Sequence, residues 1–110
     1  MTDSPLLLRR EANQAIAIIT LNRPDRINAV SKAMWVGLGE MMRGLGADRS
    51  VRVIILTGAK GNFCAGADIS EFDTERNSVE QGKIYEDAVN GCVHAILETP
   101  QPTIAAISGY

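Results

Sequence analysis

Apolar and polar positions alternate along the chain with a period that changes from segment to segment, and each period predicts an element. Leu6 to Glu11 reads as a strand and Ala15 to Leu21 (A-I-A-I-I-T-L) as a second, with a turn around Asn13 and Gln14 that folds them into a hairpin. Pro24, within L-N-R-P-D-R-I-N-A, interrupts regular structure. Ser31 suits a helix N-cap. Met34, Leu38, Met41, Met42 and Leu45 follow at spacings of four, three, one and three, one face of a helix running to about Leu45. Gly37, Gly39, Gly44 and Gly46 lower that helix's own propensity, so tertiary packing has to hold it. Basic residues are sparse on its other face, which favours a core stripe over a lipid-facing one.

Arg52 to Thr57 is a compact, largely β-branched run stopped by Gly58, and its unbroken apolar character predicts a strand covered on both faces. Ser78 and Gln81 have capping-box spacing ahead of a helix on which Gly82, Tyr85, Val89, Val93 and Ile96 recur with helical period, until Pro100 and Pro102 end it. Thr103 to Ser108 resembles another buried strand. Strands alternating with helices predict a layered α/β arrangement. A parallel strand just before Gly109-Tyr110 would ordinarily lead into another crossover, so residues 1–110 are expected to be an incomplete part of a longer polypeptide.

Composition narrows the partners. At 110 residues and 45% apolar content, the chain suits one small packed domain. A net charge of -2 and a pI near 5.3 argue against general nucleic-acid binding, although a local cationic patch could still meet an anionic ligand. No apolar run reaches the roughly eighteen residues of a membrane span, and no basic segment precedes the short apolar run at the N-terminus, as a secretory signal would require. Two cysteines suggest reduced thiols rather than a disulfide framework; the cytoplasm is the default location, and an organellar mature protein would look similar.

The stretch N-F-C-A-G-A-D-I, residues 62–69, offers little side-chain chemistry but a useful backbone. Asp68 can cap a helix, with Glu71 at N3 as its reciprocal partner, so Ala65-Gly66-Ala67 would lead into a helix start. Small side chains let a ligand approach the main chain, Gly66 permits torsions costly for other residues, and free amides near a helix start can face negative oxygen. On these residues alone two readings stand. One is a tight strand-to-helix connection; the other is an anion or oxyanion site with the Ala65 N–H as donor. No P-loop and no G-x-G-x-x-G is present.

Taken together, L-N-R-P-D-R-I-N-A-V (21–30), V-I-I-L-T-G (53–58), N-F-C-A-G-A-D-I (62–69) and P-T-I-A-A-I-S-G-Y (102–110) resemble, in order and spacing, the N-terminal part of the enoyl-CoA hydratase/isomerase, or crotonase, family. The resemblance implies a spiral of repeated β-β-α units, assembly as a homotrimer or a dimer of trimers, and acyl-CoA thioesters as substrates. It implies coenzyme A carried only within the thioester, with no separate cofactor and no metal. Two backbone amides would stabilise an enolate-like oxyanion. The resemblance assigns the first to Ala65, lays Gly66, Ala67 and Asp68 along the ligand, and puts Arg26, Ile27 and Ala29 in the loop flanking the CoA. The second donor, a glycine, and the acidic residues of a hydratase would come from sequence after Tyr110. Hydration of a 2-trans-enoyl-CoA is the leading reaction. Isomerisation or another reaction of the family, and non-catalytic acyl-CoA binding or assembly, are the alternatives.

Other candidates read as structural. Cys64 lacks a base to pair with, Cys92 sits on an apolar helix face, and His94 is isolated from other ligands. Trp35 and Tyr85 read as packing residues, and Glu71 and Glu75 do not match catalytic acids. Of Arg23 and Arg26, the second is the better phosphate ligand.

Overall fold

A computed structural model describes residues 4–75 and 77–110. Strands β1 (Leu6–Glu11) and β2 (Ile16–Leu21) form the predicted hairpin, in a register from Leu6 opposite Leu21 to Glu11 opposite Ile16. Asn13 and Gln14 take positive φ at its turn. Helix α1 (Lys32–Ala47) carries the chain to β3 (Val53–Gly58), parallel to β2, and α3 (Val79–Glu98) carries it to β4 (Thr103–Ala105), parallel to β3. A single turn, α2 (Phe72–Glu75), precedes α3. The sheet order is therefore β1-β2-β3-β4.

The core forms where α1 and α3 cross over one face of this sheet. Ala17 and Ile19 of β2, Ile54 of β3, Leu38, Met42 and Leu45 of α1, and Cys92 and Ala95 of α3 are buried against one another. Ser31 caps α1 as predicted, its Oγ accepting from the Met34 N–H at 3.2 Å, and Ser78 caps α3 by accepting from Gln81 at 3.1 Å. At Gly39 the helices approach closely: an added Cβ would lie 3.3 Å from the Cys92 Cα. The α1 C-terminal carbonyls, which have no partners within the helix, are met by Gln101, whose Nε2 donates to Leu45 O at 3.1 Å.

Three expectations change. The β3 run was expected to be covered on both faces, yet only Ile54 is buried; both crossovers lie on the same side, so Ile55 on the opposite face is half-exposed. The final strand is assigned only over Thr103–Ala105 and is exposed along it; Ala106 N–H still donates to Leu56 O at 2.9 Å, after which the chain turns to run beside Asn62–Cys64. On α3 the buried stripe is Tyr85, Cys92 and Ala95, a rotation that leaves Val93 43% exposed. No helix among the described residues is long and apolar enough to cross a membrane.

Candidate functional site

Two loops at the ends of the strands build the site. The first, residues 23–30, follows β2. Pro24–Arg26 make one 3-10 turn, after which Ile27 and Asn28 both take left-handed torsions, φ 52° and 57°. Asparagine tolerates that region, whereas a β-branched residue there costs about 1–2 kcal/mol. The strain has a structural use: the Ile27 carbonyl accepts the Ala65 N–H at 3.0 Å.

The second loop, residues 62–68, follows β3. Gly66 sits at φ 112°, the torsional freedom predicted for it. Val30 N–H donates to Gly66 O at 2.8 Å and Asp68 N–H to Val30 O at 2.9 Å, an isolated parallel bridge that brackets Ala67. In such a bridge the neighbours of the central residue make the bonds and its own N–H points away from the partner strand. The Ala67 N–H accordingly bonds to none of the described residues. The Ala65 amide, the donor expected from sequence, bonds to Ile27 O, and the amide without a partner among the described residues lies two residues on.

The helix start is also modified. Asp68 does cap, but what it caps is a 3-10 turn, Ile69–Glu71, running into the short α2, so no long helix dipole stands behind these amides. Asp68 accepts from Ser70 N at 3.0 Å, from Ser70 Oγ at 2.6 Å and from Arg23 Nη2 at 3.1 Å. Glu71 is not its reciprocal cap. Its Oε1 instead accepts from the Lys32 N–H at 2.8 Å, tying this segment to the start of α1, and Glu75 pairs with Lys32 Nζ at 3.3 Å. Arg23 is structural, its Nη1 donating to Ala29 O at 2.9 Å.

The Ser70 hydroxyl, the Ser70 amide and Arg23 together hold the Asp68 carboxyl below its ordinary pKa of 3.8, against an opposing contribution from burial. A depressed carboxylate contributes stability that is complete above its unfolded value and is lost as pH falls through the lower folded value. Ser70→Ala removes the largest cause. Denaturant titrations from about pH 5 down to about pH 2.5 are therefore expected to show a shallower acid-side loss of stability in Ser70→Ala than in wild type, and equal slopes would contradict the assignment.

Around the bridge lies an open hollow of about 280 Å³, walled by Arg26, Ala29, Ala65, Ala67, Asp68, Ile69 and Ser70. Five of the residues singled out from sequence thus converge. Ile27 and Gly66 are not among the walls and act through their backbones. Arg26 is exposed, and its side chain enters no ion pair among the described residues. Cys64 is turned onto its own loop, its Sγ accepting from Gly66 N at 3.3 Å; Cys92 is buried, which pushes its thiol pKa up. No group of three or more His, Cys, Asp or Glu side chains among the described residues is arranged to hold a metal ion. Sequence reasoning missed Asn28, which is fully buried between its own loop and the segment after β3; its residue type at a left-handed position was the available signal.

The α/β sheet has two parallel crossovers and opens at its strand ends into a hollow floored by main chain, the end at which open α/β sheets commonly take ligands. The sequence profile described as Enoyl-CoA hydratase/isomerase matches residues 11–110, and the chain belongs to that family. It is 40% identical over 99 residues to "Enoyl-CoA hydratase domain-containing protein 2, mitochondrial" of Bos taurus, covering 89% of this chain and 33% of the relative. It is 32% identical to "1,2-epoxyphenylacetyl-CoA isomerase" of Escherichia coli, covering 87% and 37%. Among solved structures, an enoyl-CoA hydratase/carnithine racemase from Magnetospirillum magneticum superposes with a TM-score of 0.90 at 48% identity, over 96% of this chain and 39% of that one. An enoyl-CoA hydratase of Mycobacterium smegmatis gives 0.86 at 36% identity, over 94% and 40%. The fold is thus the crotonase fold, and the chain spans about a third of the length of the curated relatives it matches.

Proposed function

We propose that the whole protein is a hydratase-like lyase that adds water to 2-trans-enoyl-CoA through an oxyanion-stabilised enolate. The observation carrying this reading is the Ala67 amide, unpartnered among the described residues, in the wall of a hollow that also presents Ala29, Ala65 and the Arg26 cation. A thioester carbonyl oxygen gains negative charge as water attacks the β-carbon. A fixed N–H aimed at it lowers that barrier without reorganising, because the surrounding fold has already oriented it. The donor in this proposal is Ala67 rather than Ala65. In this reading Ala65, Gly66 and Ala29 supply close approach, the Ile27 carbonyl anchors Ala65, and the exposed Arg26 is the proposed partner of a CoA phosphate.

Asp68 is an unsuitable proton carrier. Its oxygens already accept from Ser70 and Arg23, and its pKa is depressed away from the range useful for general acid–base work at neutral pH. The second oxyanion donor and the acid–base pair are assigned to the rest of the polypeptide, with no cofactor beyond the CoA of the substrate and with assembly into trimers or pairs of trimers. Isomerisation is the second reading, in keeping with the hydratase/isomerase family match, since an enolate hole serves a migrating double bond equally well.

A panel of 2-enoyl- and 3-enoyl-CoA thioesters tests the assignment. Hydration is expected as loss of the conjugated-thioester absorbance with 3-hydroxyacyl-CoA formed. Conversion of 3-enoyl to 2-enoyl substrate without hydration would establish the isomerase reading, and acyl-CoA binding without any turnover would establish a non-catalytic one.

A further inference from the structure

We infer that Asn28 is a positioning residue that sets the aim of the Ala67 amide. The inference rests on the oxyanion reading above and adds a residue that does not touch the hollow. Asn28 is fully buried. Its Oδ1 accepts from the Arg23 N–H at 2.8 Å, while Nδ2 donates to Ala59 O at 3.0 Å and to Asn62 O at 2.8 Å. Both donors of the carboxamide are used, and its oxygen is engaged as well.

Those three bonds join separate pieces of chain. Arg23 begins the loop after β2, and Ala59 belongs to the turn after β3, where Lys60 and Gly61 take positive φ. Asn62 starts the segment that runs through Ala65 to Ala67. Farther along, the same loop after β2 holds that segment again, through Ile27 O to Ala65 and through Val30 to Gly66 and Asp68. The path 62–68 is therefore pinned at its start by the Asn28 side chain and at its end by the backbone of the loop Asn28 belongs to. Deleting the carboxamide leaves two part-buried carbonyls without this donor. It also leaves the start of the path held by the bonds of Phe63 and Cys64 to Ser108 O and Tyr110 O, so the direction of the Ala67 N–H is less tightly fixed.

The test uses the whole protein and two variants. Asn28→Gly keeps the left-handed torsion accessible while removing the side chain, and Asn28→Ser retains a short hydroxyl in case the glycine variant does not fold. Each is compared with wild type below its melting temperature in two ways. One is kcat and KM on an enoyl-CoA. The other is the infrared stretch of a 13C-labelled thioester carbonyl in a bound, unreactive saturated acyl-CoA, which reports polarisation by the hole without any turnover. The expected result is a wild-type carbonyl stretch displaced below its value in water and a smaller displacement in the variant. We expect kcat to fall about tenfold with KM changed less than about threefold, a fraction of what a misplacement of about 1 Å can cost. A variant that melts earlier but keeps the wild-type kcat and carbonyl frequency would overturn the inference and leave Asn28 as structural only. A wild-type carbonyl with no displacement would overturn the oxyanion reading itself, and the inference with it.

Discussion

Ala67→Pro in the whole protein is expected to lower kcat on an enoyl-CoA by about 10²- to 10³-fold, the loss that follows removal of one oxyanion donor. Proline deletes the N–H, and at this position the N–H bonds nothing among the described residues, so little of the fold depends on it. Ala65→Pro is the informative contrast. It deletes the donor of the 3.0 Å bond to Ile27 O, one of the links between the two loops, and its effect falls first on stability. Thermal melts and steady-state kinetics on both variants therefore separate the roles: a large kcat loss with a modest change in Tm for position 67, and a larger Tm loss for position 65. Wild-type kcat in a folded Ala67→Pro variant would remove Ala67 from the mechanism.

Gly58→Ala is expected to destabilise the fold by about 3 kcal/mol, the upper part of the usual overpacking range, and to abolish turnover in the whole protein. The reason is space rather than torsion, since Gly58 has ordinary extended values, φ -124° and ψ 151°. An added Cβ would intrude on the carbonyl oxygens of Asn62 and Phe63 and lie 2.8 Å from the Phe63 Cα. These are backbone atoms and cannot rotate aside. The segment they belong to leads directly to Ala65 and Ala67, so relieving the clash displaces the amides that matter. Denaturant unfolding of Gly58→Ala reads the first effect; a midpoint equal to wild type would show that the 62–63 backbone yields freely.

How much of this was readable in advance depended on whether the determinant was local. The α1 stripe was legible because Met34, Leu38, Met42 and Leu45 face one side whatever the partner is, and all four are buried. The hairpin was legible for the same reason, since alternation along β2 buries Ala17, Ile19 and Leu21 and leaves the residues between them half-exposed. The covering of β3 was not legible. An unbroken apolar run records that burial is tolerated on both faces but cannot say that both crossovers pass on one side. The short β4 was hidden similarly: nothing in I-A-A-I-S says that Ser108 O and Tyr110 O turn to receive the Phe63 N–H.

At the site, residue types were legible and bond directions were not. Gly66 was singled out for its torsional freedom and uses it. Which alanine amide is left free was beyond reach, because that depends on the Gly66 torsion together with the register of the Val30–Ala67 bridge, a contact between loops far apart in sequence. Glu71 illustrates the same limit. Its spacing from Asp68 fits a reciprocal cap, yet the Lys32 N–H reaches its carboxylate from another helix.

The claim on which the rest turns is geometric, and a crystal structure of the whole protein holding an unreactive acyl-CoA measures it. The account predicts the thioester carbonyl oxygen within about 3 Å of the Ala67 N, with the Ala65 N–H still bonded to Ile27 O. An oxygen seated on the Ala65 amide, or an Ala67 N–H facing away from the ligand, would contradict it.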